Sequence, residues 1–154
     1  MKGKRILRYV KGTKGFGILY TENDDFKLVG YTDSDWTGSL DDRKSTSRYM
    51  FHMGLGAISW ASKKQPIVSQ STAKTKYIAE NGATCQAILL RRILIDLNER
   101  QEDGTTIYCD NISSIALSKN RVFHRRSKHI EIRYHFIREL VENGDIKIEF
   151  CKPE

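Results

Sequence analysis

The chain of 154 residues is poor in cysteine. Cys85, Cys109 and Cys151 are far apart and odd in number. No C-x-x-C or related spacing occurs, which excludes the usual zinc modules, and three scattered cysteines form no disulfide framework. They are expected as small core residues in a reducing compartment. No apolar run is long enough to span a bilayer, and no secretory leader pattern is present. Repeats, low-complexity tracts and flexible linkers are also missing. The expectation is one soluble, intracellular domain (cytoplasm, nucleus or both) with no membrane partner.

Acidic residues are missing from two segments. Residues 1–14 carry Lys2, Lys4, Arg5, Arg8, Lys11 and Lys14 with no acid, and residues 119–128 carry Lys119, Arg121, Arg125, Arg126 and Lys128 with no acid. Over the whole chain, Lys+Arg 26 against Asp+Glu 19 leaves a formal charge of +7. Basic clusters of this kind suit phosphate contacts, so nucleic acid is the expected class of partner. The plainer reading is two solvated basic segments.

What is present reads as alternating strands and helices. Ile6, Leu7 and Val10 have helical spacing in 4–11, and Gly12 stops that helix. Residues 15–20 read as a short strand and 22–25 as a turn. The stretches 26–35, 45–53 and 56–61 read as an antiparallel meander. Ser71 and Thr72 are capping residues for a long helix over 72–98, with Tyr77, Ile78, Ala83, Ile88, Leu89, Ile93 and Leu97 as its apolar face. A strand at 105–109, helices at 111–119 and 128–142, and a last strand at 145–150 complete the order. That order predicts an α/β fold with a mixed central sheet flanked by helices.

Asp33 and Asp110 both end predicted strands, and Glu131 lies early in the last helix. If the two strands pair side by side, their carboxylates converge. Two-metal hydrolysis needs several acids around ions about 4 Å apart, and hard magnesium prefers their oxygens. Taken singly, each acid is equally a turn or cap residue.

Longer motifs carry a resemblance. Tyr31-Thr-Asp33-Ser-Asp35-Trp36-Thr-Gly38, Asp42-Arg-Lys-Ser-Thr-Ser47 and Ile58-Ser-Trp60-Ala-Ser-Lys63-Lys64-Gln65-Pro66 resemble the ribonuclease H domain of copia-type retrotransposon polyproteins. So do Asp110-Asn111, Ala116–Asn120 and Phe123–Glu139, and the likeness runs from about Lys4 to Pro153. The resemblance implies a ribonuclease H-like fold. It implies hydrolysis of the RNA strand of an RNA–DNA hybrid, with Mg2+ or Mn2+ held by Asp33, Asp110 and Glu131. It also implies a reverse transcriptase upstream, making residues 1–14 a helical lead-in from that enzyme's connection. Because the chain begins close to that junction, a free-standing fragment or domesticated remnant is expected.

The same resemblance exposes a departure. Its helix-opening motif, of the type Ser-Thr-Glu-Ala-Glu-Tyr, reads Ser71-Thr-Ala-Lys74-Thr-Lys76-Tyr77 here. Both glutamates are gone, and Lys76 replaces the one expected as a metal ligand. A unit-charge pair at 4 Å and an effective dielectric of 20 is worth about 4 kcal/mol, so the reversal opposes a divalent ion by several kcal/mol before relaxation. Lys76 is expected instead to pair with Asp33 or Asp110 as a tethered cation. Glu80, one turn on, either forms an i,i+4 salt bridge with Lys76, the plainer reading, or reaches toward a metal. Asp35, on the face of Asp33 by alternation, is another candidate oxygen donor. Arg48 replaces a usual glycine, adding phosphate contact, blocking close approach, or reflecting drift.

Other candidates keep two readings. By the resemblance, His124 assists proton transfer or product departure; otherwise it contacts phosphate or solvent. Lys63, Lys64, Lys119, Arg121, Arg125, Arg126 and Lys128 are candidate backbone-phosphate contacts. Asn111 reads the hybrid's minor groove or caps a helix. Trp36 and Trp60 stack on bases or pack, and the core is the plainer place for Trp60. His129 and His135 have no zinc spacing. The reading is a hybrid-binding ribonuclease H-like domain with hydrolysis weakened or lost at Lys76. The alternatives are an active hybrid endoribonuclease and a domesticated domain that binds a host protein.

Overall fold

The computed structural model describes residues 2–20, 26–36, 38–39, 41–69, 71–119 and 128–152; the side chains of residue 2 and of 128–134 lie outside that description. The elements in chain order are α1 (Lys2–Gly12), β1 (Leu28–Ser34), β2 (Thr46–Met53), β3 (Gly56–Lys64), α2 (Thr72–Asp96), β4 (Thr105–Cys109), α3 (Ile112–Lys119), α4 (Lys128–Glu142) and β5 (Ile146–Phe150). They form a five-stranded sheet in the order β3-β2-β1-β4-β5. The meander β1–β2–β3 is antiparallel, while β4 joins β1, and β5 joins β4, in parallel. Parallel pairing needs a crossover, and α2, α3 and α4 supply it.

The strands alternate as the sequence pattern requires. Leu28, Gly30, Thr32 and Ser34 of β1 are buried on the helix side. Gly30 is needed there: a Cβ would lie 2.5 Å from the Phe51 ring, which rests directly on the strand. Phe51, Tyr77, Ile107, Ile115, Ile137, Ile146 and Ile148 fill the core between the sheet and the helices.

α2 opens where Ser71, extended at φ −152, accepts a hydrogen bond from the Lys74 amide. Its buried stripe is Tyr77, Glu80, Ala83, Thr84, Ala87 and Leu94. Leu89, Ile93 and Leu97, expected on the apolar face, are exposed. The sheet is met through alanines, whose small side chains let the helix lie close; hydrophobicity alone ranks leucine and isoleucine above them.

Three other expectations change. Residues 15–20 form no strand. Gly15 and Gly17 offer no side chain to pack, and this segment touches the fold where the Tyr20 hydroxyl donates to the Ala57 carbonyl at 2.7 Å. Trp60 is 65% exposed rather than in the core. Its neighbour Ser59 faces α2 and accepts from Gln86, so alternation turns the indole to the opposite side. There Trp60 pairs with Met50, Met50 with Tyr31 and Tyr31 with Tyr108, one row across four strands. Tyr31 stacks on Tyr108 and on His52. Finally, Cys109 is buried as expected, but Cys85 is exposed, and none of the three cysteines is bridged. The turn expected at 22–25 lies outside the described residues. No described helix is long and apolar enough to cross a membrane.

Candidate functional site at the carboxylate end of the sheet

β1 and β4 run side by side, with Thr32 opposite Cys109. The residues that follow, Asp33 and Asp110, therefore meet at the same end of the sheet. The N-terminal end of α2 crosses above them and delivers Lys76. Its Nζ donates to Asp33 Oδ1 at 2.5 Å and lies 2.7 Å from Asp110 Oδ1 and 2.8 Å from Oδ2. Asp110 Oδ1 is buried and accepts no hydrogen bond of good geometry. The ammonium contact is the compensation it has among the described residues.

The electrostatics follow. Burial works against the Lys76 charge, but its hydrogen bonds to Asp110 and Asp33 outweigh it and hold the ammonium above the usual lysine range. Burial also works against the charge on Asp33, and the Lys76 hydrogen bond and charge outweigh it, leaving that carboxyl below its usual range. Both partners are thus held ionised.

Arg48 stands directly opposite Asp33 across the β1–β2 ladder. Its Nη1 meets Asp33 at 3.3 Å and its Nη2 meets Asp35 at 3.1 Å. The other oxygen of Asp35 accepts the Thr46 amide at 2.5 Å, and a Cβ at Gly38 would collide with this carboxylate. Asp35 is therefore not a donor poised beside Asp33 for a metal. It closes the entry to β2, because a free backbone amide and a guanidinium lie on its near side.

Glu80 differs most from expectation. It does not pair with Lys76. It is fully buried, and its oxygens meet Ser114 Oγ at 2.5 Å and Ser118 Oγ at 2.7 Å, joining α2 to α3. Lys76 turns instead to the two aspartates, which offer it two acceptors. Burial raises the Glu80 carboxyl above its usual range, with the two serine hydrogen bonds offsetting part of the effect. Burial, and then the charge of Glu80, push the neighbouring Cys109 thiol up to about 12.

Of the remaining candidates, Asn111 is a cap: its Oδ1 accepts the Ser114 amide at 2.9 Å. Lys64 is held by Asp42 at 2.9 Å and by the Ser39 hydroxyl. Lys119 ends α3, and Trp36 is exposed with its Nε1 donating to the Ser69 carbonyl. His124, Arg121, Arg125 and Arg126 lie outside the described residues. Glu131, Lys128 and His129 fall in α4, with side chains outside the description, and His135 is exposed. Sequence reasoning missed the double grip of Arg48 and the burial of Glu80. The register that sets Arg48 opposite Asp33 could have revealed the first; Ser114 and Ser118, four apart on a short helix, were a faint sign of the second.

A depression of about 400 Å³ opens beside the carboxylates, lined by Tyr31, Asp33, Arg48, Met50, Tyr108 and Asp110 among others. Among the described residues, no group of three or more Asp, Glu, His or Cys stands close enough to hold a metal ion. With Lys76 in contact with both aspartates, these residues as placed do not fit a divalent ion: the cation position is taken by an ammonium.

No protein-family model matches the chain. It is 44% identical to the retrovirus-related Pol polyprotein from transposon TNT 1-94 of Nicotiana tabacum, over 94% of this chain and 11% of that one. The corresponding polyprotein from transposon RE1 of Arabidopsis thaliana is 39% identical, over 94% of this chain and 10% of its own. The chain thus spans about a tenth of the length of these relatives. Among solved structures, the N-terminal ribonuclease H domain of rv2228c from Mycobacterium tuberculosis superposes with a TM-score of 0.57 at 11% identity, covering 82% of this chain and 83% of that one. The foamy viral protease-reverse transcriptase in complex with an RNA/DNA hybrid gives 0.53 at 17%, covering 99% and 19%. In sequence the chain is similar to a short stretch of the Pol polyproteins of copia-type retrotransposons, and its fold is that of a ribonuclease H-like domain.

Proposed function

We infer that this domain binds RNA–DNA hybrid and hydrolyses it weakly or not at all. The observation that carries the reading is Lys76 Nζ seated between Asp33 and Asp110, within 2.5 and 2.7 Å of the two carboxylates. An ammonium there neutralises the charge that would draw a divalent ion and occupies its space. Binding does not need that ion. The net charge of +7 and the acid-free segments support contact with a polyanion, and the foamy viral neighbour's hybrid ligand supports the choice of hybrid.

The test is cleavage of a labelled RNA–DNA hybrid in Mg2+ and then Mn2+, comparing the native chain with Lys76→Glu, alongside hybrid binding for both. The expected result is binding by both and faster cleavage by Lys76→Glu. Full-rate cleavage by the native chain would overturn the reading and make the domain an active endoribonuclease. Absence of hybrid binding, with salt-insensitive binding to a protein instead, would favour a protein-interaction role.

A further inference from the structure

The open face of the sheet carries a row with one side chain from every strand. In ladder register these are Trp60 on β3, Met50 on β2, Tyr31 on β1, Tyr108 on β4 and Glu149 on β5. The two ends of the row are exposed, and neither the Trp60 indole N–H nor the Glu149 carboxylate has a hydrogen bond or ion pair among the described residues. Trp60 is 65% exposed, and Tyr31 and Met50 are each 38% exposed. At about 200 Å² for a large side chain, these three leave roughly 300 Å² of apolar surface open together. Soluble monomers keep contiguous apolar patches to a few hundred Å², and a patch of this size often serves a contact.

We propose that this face binds a second copy of the chain about a two-fold axis running along β1. β1 is the central strand of the order β3-β2-β1-β4-β5. An axis along it keeps the facing strands aligned, as in packed sheets, and lays the row over its own reverse. Tyr31 then meets Tyr31 of the second copy at the axis. Met50 meets Tyr108, a thioether against an aromatic ring, and the Trp60 N–H reaches the Glu149 carboxylate. Each of these last two contacts occurs twice, as a two-fold interface requires. An axis across the strands would instead set Glu149 against Glu149, and the carboxylates would repel. The row itself carries one charge, that of Glu149; a polyanion lying along the row would oppose it, whereas the indole of a second copy satisfies it. Interfaces are about 60% apolar, so a patch of about 300 Å² centres a contact of about 500 Å² on each copy and about 1,000 Å² in all, the lower bound for a specific dimer. The Kd is therefore micromolar or weaker, and the dilute chain is monomeric. Tyr31, Met50 and Tyr108 also line the depression beside the carboxylates, so the dimer covers it.

The test is sedimentation velocity of the full chain from about 1 μM to about 1 mM, a range that spans the expected Kd, with circular dichroism to check the fold of each variant. The native chain is expected to pass from monomer to dimer as concentration rises. Trp60→Glu sets a carboxylate against Glu149 of the second copy and should raise the Kd at least about 30-fold, as loss of an interface tryptophan implies. Adding Glu149→Lys to Trp60→Glu should restore the dimer. Within one chain the two positions lie four strand spacings apart, about 19 Å, so the rescue reports a contact between copies. A native chain that stays monomeric throughout, a dimer untouched by Trp60→Glu, or a double variant no more dimeric than Trp60→Glu alone would overturn the proposal. So would a chain that never dimerises but whose Trp60 is shielded from acrylamide by RNA–DNA hybrid, a result that would give the face to nucleic acid.

Discussion

Replacing Lys76 by methionine keeps an unbranched side chain, one atom shorter, and removes its charge. One ammonium touches both aspartates, so their carboxylates stand no more than about 5 Å apart; two negative charges at that distance repel by about 3 kcal/mol at an effective dielectric of 20 and by about 1 kcal/mol in water. Asp33 is 55% exposed on its side chain and Asp110 31%, which places the real repulsion nearer the lower figure. The lost attraction adds about 1 kcal/mol or less on the exposed Asp33 side and somewhat more on the Asp110 side. Lys76→Met should therefore destabilise the fold by about 2–3 kcal/mol, a fall in Tm of about 5–10 °C for a chain of this size. It should also create a site for a divalent ion. An ion at ten times its Kd returns about 1.4 kcal/mol to the folded state, or about 3–6 °C. The assay is thermal unfolding followed by far-UV circular dichroism, with and without Mg2+ in excess chloride. The native chain should show no Mg2+-dependent shift. An equal shift in both proteins, or a variant as stable as the native chain, would refute the assignment of Lys76 as the resident cation.

Three further outcomes are expected. The Glu80 carboxyl is raised in the folded state, so the native state holds more protons than the unfolded chain as pH climbs from about 4.5, and stability falls by about 1.4 kcal/mol per pH unit until the folded group itself titrates. Glu80→Gln should flatten that slope in urea titrations as pH rises above about 4.5; an unchanged slope would show that the group is not responsible. Gly30→Ala should destabilise by about 1–3 kcal/mol, because the Phe51 ring must move; retention of the native Tm would contradict the close packing. Arg48→Ala should leave Asp33 and Asp35 without their shared guanidinium and weaken hybrid binding with a smaller salt slope, measured by fluorescence anisotropy across a KCl series. An identical slope would place Arg48 outside the binding surface.

Much of the fold was legible because its elements follow single periods. The alternation in β1, β2 and β5 and the capping Ser71 place those elements within a residue or two. The Lys76–aspartate contact was also legible, since strand ends and the N-terminal end of a helix leave few other partners. The face of α2 was not, because close helix-to-sheet contact selects alanine over leucine. Glu80 was not, because i,i+4 spacing suggests a surface pair, whereas Lys76 prefers two aspartates and Glu80 finds two serines on α3. The strand at 15–20 failed because apolar residues between glycines make an extended segment without supplying a neighbour to pair with.

The placement of the two tryptophans has an optical consequence. Trp60 stands on the open face of the sheet, and Trp36 is half exposed beside the carboxylates. Both indoles are wet in the folded chain and wet again when it unfolds, so their emission should change little on denaturation and be quenched by acrylamide in both states. The same exposure makes them reporters of whatever lands on those faces: a bound base or peptide would shield Trp60 and shift its emission to the blue in a protein whose core is spectroscopically silent at that wavelength.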